Sequence, residues 1–89
     1  MTATHPAYNE RAAGARILDR AEGVLIGLRR CRVEEAFDEI VTASREHLVP
    51  ALRVAQALVE LAEGREPADE DARAAARRQW GDLLQAVTS

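Results

Sequence analysis

Four stretches of the chain repeat apolar residues at helical spacing, and none shows the two-residue alternation of a strand. Between Glu10 and Arg30, Ile17, Ala21, Val24, Leu25 and Leu28 fall at i, i+4, i+7, i+8 and i+11, one face of a long helix with Asn9 as its N-cap. After a break at Arg30-Cys31-Arg32, the positions Val33, Ala36, Phe37, Ile40 and Ser44 predict a second helix from about Val33 to Glu46. Glu34 and Glu35 stand in its first turn, where they favour the helix dipole. Pro50 opens a third helix with the stripe Ala51, Ala55, Leu58, Val59 and Ala62, which Gly64 and Pro67 stop. A fourth, from about Ala68 to Ala86, lines up Ala72, Ala76, Trp80, Leu83, Leu84 and Val87 behind an acidic first turn of Asp69, Glu70 and Asp71. The pattern predicts an all-α fold: a three-helix bundle around Ala21, Leu25, Leu28, Ala36, Phe37, Ile40, Ala55 and Leu58, with an additional C-terminal helix. Residues 1–9 read as a flexible lead-in, 10–64 as the helical domain and 65–89 as the C-terminal helix.

Composition narrows what such a bundle can do. With 89 residues the core is small, and with only 3% aromatics it must be built largely from alanine, leucine and valine. The net charge of −3 gives no global attraction to polyanions, so an anion site has to be a local patch. All 12 basic residues are arginine, whose planar fork suits phosphate and carboxylate. Residues 10–30 carry five arginines against three acids, whereas 31–49 carry two against five. On the first helix, a turn of 100° per residue gathers Arg16, Arg20, Gly23, Gly27 and Arg30 within a sector of roughly 80°. Each interior glycine costs about 1 kcal/mol relative to alanine, so the Gly-x-x-x-Gly spacing predicts a close approach. Three occupants fit: RNA phosphates between the arginine forks, a partner helix, or the intramolecular core beside an ordinary solvated edge.

No nucleophile with its base, metal cluster or phosphate loop is legible, so neither catalysis nor a cofactor or metal is expected. His5 lies in the lead-in and His47 stands alone at a helix end. Cys31, the single cysteine, cannot form an internal disulfide and suits a reducing cytoplasm; its place between helices fits a small plug. Glu34, Glu35, Asp38 and Glu39 lack a neighbouring histidine or cysteine and read as a solvated acidic face. No apolar run approaches the ~20 residues of a membrane span, and the first ten residues lack a signal-peptide core. A DNA-binding helix-turn-helix would find only Arg53 on the third helix. Trp80, Leu83 and Leu84 either close the bundle or form the interface of a homodimer; the extent of that apolar face favours the dimer.

Three separated segments carry a resemblance. Ala21-Glu22-Gly23-Val24-Leu25-Ile26, then Cys31-Arg32-Val33-Glu34-Glu35-Ala36-Phe37, then Val54-Ala55 resemble the signature of the ANTAR family. That signature reads Ala-Lys-Gly-Ile/Val-Leu-Met, a Gly-Cys corner, an acid before Ala-Phe or Ala-Tyr, and Leu-x-x-Val-Ala. The likeness runs from Ile17 to about Ala62. It implies three helices and dimerisation through a preceding coiled coil or receiver. It also implies RNA binding at hairpin loops that relieves transcription termination, with regulation through a protein partner. The Arg16, Arg20, Gly23, Gly27 and Arg30 stripe then becomes the expected RNA face. The chain departs from the pattern at Glu22, where the family has lysine or arginine, and at Ile40-Val41, where it has Leu-Arg. Ala51 replaces a leucine, and Arg30 occupies the place of the glycine before the cysteine. The alternative reading is a helical interaction or dimerisation module that has lost RNA binding.

Overall fold

Helices α1 (Pro6–Arg29), α2 (Val33–His47), α3 (Ala51–Ala62) and α4 (Glu70–Thr88) make up this computed structural model. It describes residues 6–88 and the side-chain surroundings of 12–86, and contains no strand among them. The chain is all-α, as the apolar spacing requires. α1 begins earlier than the sequence suggests, so Asn9 lies inside the helix instead of capping it. A proline suits a first helical turn because the N–H it lacks has no intrahelical partner there. Residues 1–5 of the expected lead-in lie outside the described residues.

The helix ends are closed locally. The Glu35 carboxylate accepts the Arg32 backbone N–H at 2.9 Å, which secures the start of α2. Beyond α3, Gly64 takes φ 80, and the N–H groups of Arg65 and Gly64 donate to Glu60 and Leu61 at 2.8 and 3.0 Å. That pair of bonds satisfies carbonyls the helix leaves free. Asp69 caps α4, its Oδ1 accepting the Ala72 N–H at 3.1 Å, and it also grips Arg53 of α3 through both carboxylate oxygens.

α3 sits in the middle, packed on the other three helices through Val54, Ala55, Ala57, Leu58 and Val59. Of the 16 buried hydrophobic residues, eight are alanine, which lets the helix backbones come close but fills little volume. Trp80 of α4 is the largest buried side chain. Its indole N–H donates to Glu39 Oε1 at 2.9 Å, and Arg29 Nε lies 2.7 Å from Glu39 Oε2. One carboxylate on α2 thereby ties α4 to the end of α1.

Two expectations are corrected here. Trp80 and Leu84 are buried in the chain's own core, with Leu83 packed partly against it, so α4 closes the bundle and its apolar face is not left uncovered for a second copy. Phe37 is not a core residue: it is 43% exposed, and Val33 one turn earlier is 47% exposed. The buried face of α2 is Ala36, Ile40 and Ala43, rotated by roughly 75° from the Val33, Phe37 and Ser44 side. The rotation lets small Ala43 enter the core and brings Glu39 to Trp80 and Arg29. Leu28 is half-buried against the core, while Ala21, Leu25, Ala36, Ile40, Ala55 and Leu58 are buried as expected.

Leu58→Ala should cost about 2–5 kcal/mol in chemical denaturation and Phe37→Ala less than about 1 kcal/mol; equal losses would put the ring back in the core. The hydrogen bonds from Arg53 and from the Ala72 N–H lower the Asp69 carboxyl from 3.8 to about 2. Its stabilising contribution is therefore complete above pH ~4 and is lost as the pH falls towards 2. Asp69→Asn keeps a capping oxygen without the charge, so its melting temperature should trail the wild type's at neutral pH and converge with it in acid.

Candidate nucleic-acid interface

Helix α1 turns Ala21 and Leu25 into the core, flanked by half-buried Ile17, Val24 and Leu28. Arg16, Arg20, Gly23, Gly27 and Arg30 are all exposed. At 100° per residue they lie roughly opposite the buried side, so the stripe faces solvent squarely instead of bordering the core. Along the axis the five positions span about 21 Å.

The glycines separate two of the explanations open to the sequence. A Cβ added at Gly23 or Gly27 would meet nothing within 4 Å, so neither residue was selected to fit an intramolecular neighbour. The tight internal contact is at Gly14, where a Cβ would lie 3.1 Å from Leu52 Cδ1 as α1 crosses α3. Sequence reasoning missed Gly14, although its spacing from Ile17, Ala21 and Leu25 places it on the buried face. What Gly23 and Gly27 leave is a strip without side chains between arginines.

Ion pairing divides the arginines by location. Arg29, Arg53, Arg65, Arg73 and Arg77 each meet a carboxylate, on Glu39, Asp69, Glu63, Glu66 and Glu66 again. Arg16, Arg20, Arg30 and Arg32 have no such partner among the described residues, and neither do Arg45 and Arg78. The uncompensated positive charge is thus concentrated on α1 and the corner that follows it. Arg53, the one groove contact a helix-turn-helix reading would use, is held by Asp69, on a helix buried along much of its length.

That corner is strained at one point. Arg30 takes φ 56, a left-handed conformation that disfavours residues with a Cβ, while its N–H still donates to Ile26 O at 2.8 Å. The glycine usual at this place in the resembled signature would adopt the conformation freely. Cys31 is half-buried behind it with Sγ 3.9 Å from Leu25 O, a plug at the α1–α2 corner.

Acid limits the site on one flank. Glu22 is half-buried, and desolvation followed by repulsion from Asp19 raises its carboxyl pKa. Asp19 and Glu22 lie beside the stripe on one side only, so a polyanion is favoured from the other. A concavity of about 570 Å³ between the α3–α4 loop and α4 has Arg65, Glu66 and Arg77 in its lining, whose charges compensate one another or Glu63. It offers no comparable cationic surface.

The family model described as the ANTAR domain matches residues 7–59, more than half the chain, and takes in all of the arginine–glycine stripe. α4 and the loop before it fall outside the match. No curated protein and no solved structure matches the chain.

Gly23→Ala and Gly27→Ala should each stabilise the fold by up to about 1 kcal/mol, since the methyl group enters open space in a helix. Arg30→Gly should add about 0.5–1 kcal/mol, the relieved strain less the extra entropy of an unfolded glycine. Urea denaturation reads all three, and a loss of stability in a glycine variant would show that this face is not open.

Proposed function

The chain belongs to the ANTAR family of RNA-binding regulators, and from that premise we propose that it recognises structured RNA at hairpin loops and acts as a transcription antitermination regulator. The observation that carries the RNA-binding part is the set of exposed arginines, Arg16, Arg20 and Arg30, without a carboxylate partner among the described residues, around the open Gly23–Gly27 strip. Guanidinium groups not already engaged by carboxylates release counterions when phosphate replaces solvent, which is the source of most nonspecific nucleic-acid affinity. Two open glycines let a backbone approach between them, at a cost to helix stability that no internal contact offsets.

The proposal places the protein in the cytoplasm, working with a regulatory protein partner and as a homodimer, arrangements that the family suggests. No helix among the described residues is long and apolar enough to cross a membrane. A second copy would have to use surface other than Trp80 and Leu84, which the core already occupies.

Arg16→Ala and Arg20→Ala should each weaken binding to an RNA carrying two short hairpins and flatten the dependence of log K on log salt by roughly 0.7–0.9. Neither should lower the melting temperature. Glu22→Lys should strengthen binding, because it replaces a repelling charge beside the stripe with an attracting one. Electrophoretic shifts across a salt series measure these effects; wild type and Glu22→Lys both binding hairpin RNA no better than unstructured RNA would end the proposal.

A further inference from the structure

Phe37 stands on the surface of the bundle with no other side chain of the chain's core covering it. The ring is 43% exposed on the first turns of α2, next to Val33 at 47%, while Ala36 and Ile40 alone turn inward there. Around it the charges are segregated. Arg30 and Arg32, both exposed and without carboxylate partners among the described residues, lie at the N-terminal end of the helix. Exposed Glu34 and Asp38 lie along the outer side, with Arg45 further down the helix.

We propose that Phe37 is a stacking platform for an unpaired base of an RNA loop whose flanking phosphates are held by Arg30 and Arg32. The inference rests on the RNA-binding reading and assigns it a residue outside the arginine–glycine stripe. Phe37 lies about 7.5 Å from Arg32 along the helix axis, a span one nucleotide bridges. An aromatic face stacks on any base, and arginines beside it engage the backbone. Glu34 and Asp38 accept hydrogen bonds but cannot donate them, so they repel phosphate and favour a base edge bearing N–H groups. Backbone towards the corner and base edge towards the acids is the one orientation that satisfies both sets of charges. A protein partner is less well matched, because Val33 and Phe37 are ringed by charged Arg30, Arg32, Glu34 and Asp38, whereas the core of a protein interface is depleted of charge.

The test compares two RNAs with identical paired stems, one closed by nucleotide loops and the other by hexaethylene-glycol linkers. Phe37→Leu should bind the looped RNA roughly 5- to 100-fold more weakly than wild type, with an unchanged salt slope, while Phe37→Tyr stays close to wild type. Arg30→Ala and Arg32→Ala should instead lower the slope by roughly 0.7–0.9 each. For the linker-closed RNA, wild type and Phe37→Leu should be equal. If Arg16→Ala and Arg20→Ala weaken looped-RNA binding but Phe37→Leu does not, stacking is overturned and the broader RNA reading stands. A wild type that binds neither RNA overturns both. Phe37→Leu altering sedimentation and not RNA affinity would assign the ring to a second copy of the chain and likewise overturn the proposal.

Discussion

A core that is half alanine brings four helices close together but leaves little volume for side chains to exchange, and Trp80 supplies the largest single share of it. Burying an indole leaves an N–H that needs a partner, since an unmet buried donor costs more than a made hydrogen bond returns. Glu39 meets it from α2, and Arg29 at the end of α1 holds the same carboxylate. The rotation of α2 follows from this contact. Once Glu39 must reach both Trp80 and Arg29, Ala36, Ile40 and Ala43 face inward, and Val33 and Phe37 are carried to the surface.

The same bond gives α4 a part in the surface that binding would use. α4 lies outside the family match, yet it sets how α2 presents its exposed ring and it withdraws Arg29 from the free cations at the α1–α2 corner. Arg53 is withdrawn in the same way by Asp69, at the N-terminus of α4. That Arg16, Arg20, Arg30 and Arg32 lack a carboxylate among the described residues while Arg29 and Arg53 have one is therefore a selection made by the fourth helix and its cap as much as by the family's own three. A protein of net charge −3 can hold such a patch because charge is distributed locally, with acids such as Glu35, Glu39, Glu66 and Asp69 engaged elsewhere by caps and cations.

Stability and site compete at identifiable positions. Gly23 and Gly27 weaken α1 without fitting any neighbour, and Arg30 occupies a left-handed turn that a glycine would take with less strain. The strained Arg30 lies on the same surface as the two open glycines. Leu48, also left-handed at φ 56, follows α2, where the Val49 N–H reaches Ser44 O at 3.2 Å and the chain turns into α3. It shows that the corners of this bundle tolerate such strain away from the stripe as well.

The amino-acid pattern alone determined the four helices and most of their bounds, because a 3.6-residue period, Gly64 after α3 and the acids that open α4 act locally. It also gathered the arginine–glycine stripe, which depends only on helix geometry. Local rules could not say where the stripe points relative to the core, or that Gly14 and not Gly23 is the close contact, since both depend on where α3 crosses α1. Nor could they place Phe37 and Trp80, the two aromatics they took for core and interface. Their apolar stripes permitted more than one rotation, and the choice fell to a hydrogen bond between residues 41 positions apart, a distance at which sequence spacing carries no information about contact.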